Sequence, residues 1–122
     1  PGFFYPATVL SNVPDGAKML NEEIFGPVAS LQTFKDEAEV IAMCNNSPFG
    51  LASYFYSRDL GRVWRVAEAL ESGMVGVNTG LITTEVAPFG GVKQSGNGRD
   101  KSLHAFDKYT ELKTTWLRID AA

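Results

Sequence analysis

Apolar, β-prone segments alternate with helical patterns through the middle of the chain, and this alternation is the strongest constraint on its fold. The segments VASLQTF (28–34), LASYFYS (51–57) and MVGVNT (74–79) have the β-branched and aromatic content of strands. Helical patterns begin after Asp36 and after Asp59, and they fill the two gaps between these strand-like segments. The order strand, helix, strand, helix, strand predicts two parallel βαβ crossovers. We therefore expect an α/β fold with helices on at least one face of a parallel sheet.

Capping signals place the ends of both helices. Asp36 can cap the first helix, because Glu39 follows three residues later in the spacing of a capping box. Asp59 can cap the second, and Ser72-Gly73 is expected to close it, with Gly73 in the left-handed C′ position. Apolar residues follow at helical spacing: Val40, Ile41 and Cys44 in the first helix, and Leu60, Val63, Trp64, Ala67 and Leu70 in the second.

The flanking regions carry four further predictions. ATVLSNV (7–13) is strand-like and ends at the turn signal PDG. Residues 80–99 lack periodicity and form a long loop, which in a compact domain is usually functional or disordered. KSLHAFDKY (101–109) predicts a short helix. TELKTTWLRI (110–119) is β-prone with polar residues on both faces, so we expect an edge-like strand that pairs with another chain.

Composition excludes several classes of protein. A formal net charge of −3 gives no electrostatic footprint for nucleic acid or an anionic membrane. No apolar run approaches the roughly 20 residues of a membrane span, and the opening residues PGFFYPATVL lack a signal-peptide pattern. The single cysteine, Cys44, excludes an internal disulfide and is compatible with a reducing, cytoplasmic location. The chain also lacks an initiator Met, which is compatible with a piece of a longer protein.

The glycine-rich stretch fits no phosphate-binding motif. Gly91 to Gly96 has the spacing at which a P-loop starts, but Asn97 stands where its lysine is required. A dinucleotide fingerprint from Gly96 and Gly98 would need a third glycine where Lys101 is found. Glycine is therefore expected here for unusual backbone angles and close backbone approach.

No complete catalytic set follows from residue types and spacing. Cys44 is predicted to lie on the side of its helix that faces the protein core, with no flanking basic residue to lower its pKa. His104 is the only histidine, which excludes a histidine cluster for zinc, and it is predicted to lie on the surface of a short helix. The carboxylates nearest the glycine-containing breaks are Glu22, Glu23 and Asp100, and most such groups are simply solvated.

Two strings carry a family resemblance. EEIFGPV (22–28), followed much later by PFGGVKQSGNGR (88–99), resembles the C-terminal part of the aldehyde dehydrogenase superfamily, and the likeness covers essentially the whole chain. GVNTGLITTEVAPFGGVKQSG (76–96) is most similar to the succinate-semialdehyde branch. GRDKSLHAFDKYTELKTTW (98–116) looks equally like dehydrogenases of γ-glutamylated or other amino aldehydes.

The resemblance implies oxidation of an aldehyde to a carboxylic acid with NAD or NADP. In the family a cysteine thiolate attacks the aldehyde, hydride passes to the nicotinamide, and a glutamate activates the water that releases the acid from the thioester. Thiol and base lie upstream of the matched stretch, and Cys44 aligns with neither. We therefore expect the isolated chain to be inactive.

The resemblance also implies roles for five residues. Glu23 matches the carboxylate that accepts the nicotinamide ribose hydroxyls, and Phe25 matches the aromatic residue beside the nicotinamide. Phe89 matches an aromatic wall of the aldehyde pocket. Thr83 replaces a serine that meets the distal carboxylate in the succinate-semialdehyde branch. Asp100 replaces a glutamate near the base, so any proton-relay role is weakened by one methylene.

The resulting domain prediction has two parts. Residues 1–108 form the C-terminal part of a Rossmann-like catalytic domain, including an active-site loop at 80–99, and residues 109–122 form an oligomerisation strand and tail. Expected partners are a small-molecule aldehyde, the remainder of the parent chain, and further copies in a homodimer or tetramer. The alternatives are an amino-aldehyde dehydrogenase and a stand-alone binding or assembly module. No metal, nucleic acid or membrane partner is expected.

Overall fold

The computed structural model describes residues 2–120 and divides into two compact units, one up to Ser47 and one from Pro48 onward. The first unit contains a parallel pair of strands, in which Thr8 aligns with Val28 and Ser11 with Leu31. Its elements in chain order are β1 (Thr8–Ser11), a 3-10 helix (Lys18–Leu20), β2 (Val28–Leu31) and α1 (Glu37–Asn45).

Helix α1 begins where its capping signal predicts. The Asp36 side chain accepts a hydrogen bond from the Glu39 amide at 2.9 Å. The Glu39 carboxylate reaches back to the Lys35 amide at 2.5 Å, one residue beyond the usual partner in a capping box. The prediction for Cys44 is wrong, because its side chain is exposed. No residue of α1 is buried, so the side of the helix that carries Cys44 does not pack against a core within the described residues.

The second unit is built on one parallel crossover. Strand β4 aligns with β5 from Ala52 and Met74 to Phe55 and Val77, and α2 connects them. Strand β3 pairs in antiparallel fashion with β6. The elements in chain order are β3 (Phe49–Gly50), β4 (Ala52–Phe55), α2 (Leu60–Ala69), β5 (Met74–Val77), β6 (Val92–Lys93) and a second 3-10 helix (Leu103–Lys108).

Helix α2 has a cap at its start and the buried residues at its end. The Asp59 carboxylate accepts from the Arg62 amide at 2.6 Å, and this bond is the main cause that lowers the pKa of Asp59 below 3.8. The cap therefore contributes fully above pH 3.8 and is lost as the pH falls through the lower folded-state pKa. Among the described residues, the buried hydrophobic side chains are Val66 and Leu70, which are 7% and 8% exposed.

The predicted α/β fold class is confirmed, but three details differ. Only the second predicted crossover is present as described, because the ladder partner of β2 is β1. Helix α2 ends at Ala69, and its C-cap residue Leu70 is extended. Gly73 does not have a positive φ, so its predicted C′ role is wrong. Residues 110–120 form no strand in this chain. That strand was predicted to pair with another chain, and a single chain does not supply the partner.

Two properties of the described region bear on possible sites. None of its helices has the length and apolar character needed to cross a membrane. Between residues 2 and 120 there is also no group of three or more His, Cys, Asp or Glu side chains that could hold a metal ion.

Candidate functional site

Glu23 and Phe25 lie on the surface of the first unit, in the connection that enters β2. The Pro27 carbonyl accepts the Thr8 amide at 2.8 Å, which fixes the end of this connection against β1. The Phe25 ring is 94% exposed, and Glu23 is exposed as well. The break at Gly26-Pro27 thus presents a carboxylate and an aromatic ring to whatever lies next to this surface.

The loop at 80–99 is tied down at both ends. At its start, the Asn78 side chain accepts the Ser57 amide at 2.9 Å and donates to the Ser57 carbonyl at 2.8 Å. At its end, Phe89 and Asp100 form an antiparallel bridge with hydrogen bonds of 2.8 and 2.7 Å. The structure therefore brings together two of the residues that the sequence selected for this unit.

Close backbone contacts hold the middle of the loop. A methyl group on Gly73 would clash with the carbonyl oxygen of Gly90, so the loop passes directly over the chain that enters β5. Gly96 has a φ of +93°, which is the left-handed region that favours glycine. These contacts confirm the expectation that glycine serves unusual angles and close approach here.

Asp100 is held by a cation. Lys108 donates a hydrogen bond from Nζ to the Asp100 carboxylate, and this bond is the main cause that raises the pKa of Lys108. Because Lys108 ends the second 3-10 helix, the pair fastens that helix to the Phe89–Asp100 bridge. His104 lies on the same helix and is exposed, as predicted, with Nδ1 at 3.5 Å from the Asp107 carboxylate.

The segment that contains Thr83 lies against residues 101 and 102. The Glu85 carbonyl accepts the Ser102 amide at 2.9 Å. The pKa of Glu85 is lowered, first by its own backbone amide, then by Thr84, with a smaller contribution from the charge of Lys101. Thr83 itself is exposed, so its hydroxyl is accessible to a ligand.

Sequence reasoning missed two cations in this unit. The Lys101 ammonium lies 5.4 Å from the centroid of the Phe89 ring, within cation–π range. The Arg99 guanidinium donates from Nη1 to the carbonyl of Gly91 at 2.6 Å, of Gly98 at 3.0 Å and of Asn97 at 3.4 Å. A signal in the sequence could have pointed to Arg99. It is a long cationic side chain directly after a glycine-rich stretch, where few side chains cover the backbone carbonyls.

A family model described as "Aldehyde dehydrogenase family" matches residues 1–115 of this chain. A glutarate-semialdehyde dehydrogenase of Pseudomonas putida is 62% identical over 112 residues. The NADP(+)-type succinate-semialdehyde dehydrogenase GabD of Escherichia coli is 58% identical over 112 residues. Each alignment covers 92% of this chain, and the chain spans 23% of the length of each of these curated relatives.

A solved structure also matches this chain over nearly its whole length. An aldehyde dehydrogenase from Bacillus cereus, solved as an NAD+ complex, is 40% identical and superposes with a TM-score of 0.91. The match covers 98% of this chain and 24% of that one. The fold described above thus recurs within a much longer protein.

Proposed function

Because the chain belongs to the aldehyde dehydrogenase family, we propose that it supplies cofactor- and substrate-contacting residues to an NAD(P)-dependent semialdehyde dehydrogenase. The observation that carries the proposal is the identity of about 60% with two semialdehyde dehydrogenases over 92% of the chain. The proposed reaction is oxidation of succinate semialdehyde to succinate through a cysteine thioester, with thiol and base on the remainder of a longer chain. Those relatives are about four times longer, which supports this division.

The cofactor surface consists of Glu23 and Phe25. Among residues 2–120, no group donates a hydrogen bond to the Glu23 carboxylate, so both its oxygens are open to external donors. A carboxylate can accept two hydroxyl groups at once, which suits the diol of a ribose. The exposed Phe25 ring offers a flat apolar surface that restricts where a bound aromatic ring can turn. NAD(P), when bound, supplies the hydride acceptor.

The aldehyde pocket draws on the second unit. Phe89 provides an aromatic wall, and the bridge to Asp100 fixes the backbone from which the ring projects. The Thr83 hydroxyl is proposed to donate a hydrogen bond to the distal carboxylate of the semialdehyde. Asp100 is proposed as a relay residue near the base. Its ion pair with Lys108 supports an anchoring role as well, because that pair already engages the carboxylate.

Two other substrates and one other function compete with this proposal. The five-carbon glutarate semialdehyde is favoured by the relative at 62% identity. An amino aldehyde, such as a γ-glutamylated aminobutyraldehyde, rests on the string at 98–116 alone. A stand-alone module would need its own core, whereas the buried hydrophobic residues of the described part are Val66 and Leu70.

The experiment replaces Thr83 by Val in the full-length enzyme that contains this chain. Valine removes the hydroxyl and nearly keeps the shape. A hydrogen bond to a charged group is worth about 1.5–3 kcal/mol, which is roughly 10- to 150-fold in kcat/KM. We expect this loss with succinate semialdehyde, and only a small loss with pentanal, which has no distal charge.

The matched control is Thr84→Val, at the neighbouring hydroxyl, which donates within the chain to Glu85 at 3.3 Å. Equal losses for both aldehydes would mean that Thr83 shapes the loop and does not bind the carboxylate. If the wild-type enzyme prefers glutarate semialdehyde, the five-carbon alternative replaces the four-carbon one. An enzyme that oxidises amino aldehydes and neither semialdehyde would contradict the proposed substrate class.

A further inference from the structure

Arg99 links both passes of the loop that starts at Phe89 and returns at Asp100. Its Nη1 donates to the Gly91 carbonyl at 2.6 Å on the outgoing pass and to the Gly98 carbonyl at 3.0 Å on the returning pass. A longer bond of 3.4 Å reaches Asn97. Within residues 2–120, the hydrogen bonds of this side chain all end on backbone carbonyls. Such charge-assisted bonds are roughly twice as strong as neutral ones.

The chain makes room for this arginine with a glycine. A methyl group on Gly90 would lie 2.9 Å from Arg99 Cδ and 3.1 Å from Nη1, and it would clash with the Gly98 carbonyl. The Arg99 side chain thus occupies the space next to Gly90 where a side chain would otherwise lie. Gly90 is buried and Arg99 is half-buried, so the guanidinium is partly withdrawn from water. The carbonyls replace water as its partners.

The position of this cluster in the loop gives it a mechanical role. The bonds from Arg99 lie immediately beside the Phe89–Asp100 bridge, whose two hydrogen bonds set the base of the loop. Beyond the cluster, β6 is held by its pairing with β3. Phe89 is therefore attached to the rest of the unit through the bridge, and Arg99 fixes the spacing between the two passes at that point.

We propose that Arg99 is a positioning residue that holds Phe89 in place by binding the carbonyls of Gly91 and Gly98. The link to catalysis rests on the proposed function, because Phe89 is the proposed wall of the aldehyde pocket. Arginine suits this task better than lysine, since the two N–H groups of Nη1 are held in the plane of the guanidinium and point in fixed directions, whereas the ammonium of lysine rotates. The competing role for an arginine in such an enzyme is direct binding of the substrate carboxylate, and the two roles predict different selectivity.

The test uses Arg99→Ala and Arg99→Lys in the full-length enzyme that contains this chain, with Arg58→Ala as the control at an exposed arginine. Arg99→Ala should lower kcat/KM at least tenfold, and equally for succinate semialdehyde and pentanal. Hydrogen exchange at the Phe89 and Asp100 amides should accelerate at least tenfold. Exchange at the Val66 amide in α2 should stay within twofold, which separates a local effect from general destabilisation.

Chemical rescue and the Arg99→Lys variant provide two further tests. Millimolar guanidinium should restore part of the lost activity of Arg99→Ala, whereas methylammonium, which lacks a planar NH2 group, should not. Arg99→Lys, which is the variant to score if the alanine variant does not fold, should lose at least threefold in both readouts. Arg58→Ala should match the wild type.

Three results would overturn the proposal. A loss confined to succinate semialdehyde would make Arg99 a substrate-binding residue. Unchanged exchange at Phe89 and Asp100 would show that the carbonyl contacts do not hold the bridge. Rescue by methylammonium as effective as that by guanidinium would reduce the requirement to charge alone. If the wild-type enzyme oxidised neither aldehyde, the proposed function would fail, while the exchange measurements would still decide whether Arg99 holds the loop.

Discussion

Single residues decide how closely the loop at 80–99 can approach β5, and Gly73 is the most demanding of them. Its amide donates to the Gly50 carbonyl at 3.0 Å, while the Gly90 carbonyl lies where a side chain would begin. The obstacle is backbone, which cannot turn aside as the end of a flexible side chain can. Gly73 therefore serves close packing between chain segments, and not the left-handed C′ position predicted for it after the helix.

Gly73→Ala should destabilise the full-length protein by about 1–3 kcal/mol, the usual cost of forcing extra atoms into a packed site. The measurement is the midpoint of urea unfolding, together with the rate of proteolysis within residues 80–100. Gly80→Ala is the matched control, because a methyl group there meets nothing within 4 Å. Equal stability of the two variants would contradict the packing role of Gly73.

At this scale the sequence could name candidate residues but not their partners. Glu23, Phe25, Thr83, Phe89 and Asp100 were reached through family resemblance, and their roles stay predictions. The ion pair of Asp100 with Lys108 and the carbonyl contacts of Arg99 depend on how a loop folds back, which no local pattern encodes. The prediction for Cys44 was wrong for a related reason. Helical periodicity indicates on which face of a helix a residue lies, but not whether anything packs against that face.

Secondary-structure elements were more predictable where their signals are local. Both helices begin at the predicted aspartate caps, because an N-cap involves only residues within one turn. Strand β6 escaped prediction since two residues carry no periodicity, and it exists through pairing with β3 across more than 40 positions of sequence. Long-range contacts, not propensity, therefore determine the structure of the loop region.

Removing the cap of α1 tests the element directly. Asp36→Ala should cost about 1 kcal/mol of helix stability, which corresponds to roughly fivefold faster hydrogen exchange in the first turn. The Glu39 amide should respond most, because it donates to Asp36 at 2.9 Å. Asp36→Asn keeps an acceptor oxygen and serves as the control, with exchange close to that of the wild type. Unchanged exchange in Asp36→Ala would mean that tertiary contacts alone hold this end of the helix.

At the scale of the whole molecule, exposed apolar surface is the dominant property. Large hydrophobic side chains are exposed along the chain, including Phe25 at 94% and Trp116 at 92%, while Val66 and Leu70 are the buried hydrophobic residues of the described part. Burial of such surface is the main driving force of folding and association. The low burial agrees with the proposal that other parts of a longer protein cover these surfaces. The alternation of strands and helices was sufficient to predict the fold class, but it contains no information about what covers each face.

The segment from Thr110 onward is the part for which we propose a second copy of the protein as the cover. Residues 110–120 form no strand in this chain, and Trp116, Leu117 and Ile119 are all exposed. A β-prone segment with unpaired backbone groups is a template for pairing with another chain. Deleting residues 110–122 from the full-length protein should convert a dimer or tetramer into smaller particles, measured by light scattering.

A point variant separates strand pairing from simple loss of contact area. Thr115→Pro removes one backbone donor and is poorly tolerated inside a paired strand, so it should also reduce particle mass. Thr115→Val retains the donor and raises β propensity, and it should assemble like the wild type. If the truncated protein keeps the oligomeric state of the wild type, the assembly role of this segment is contradicted. If the truncation dissociates and Thr115→Pro does not, the segment acts through its exposed side chains, because pairing through the Thr115 amide would then be dispensable.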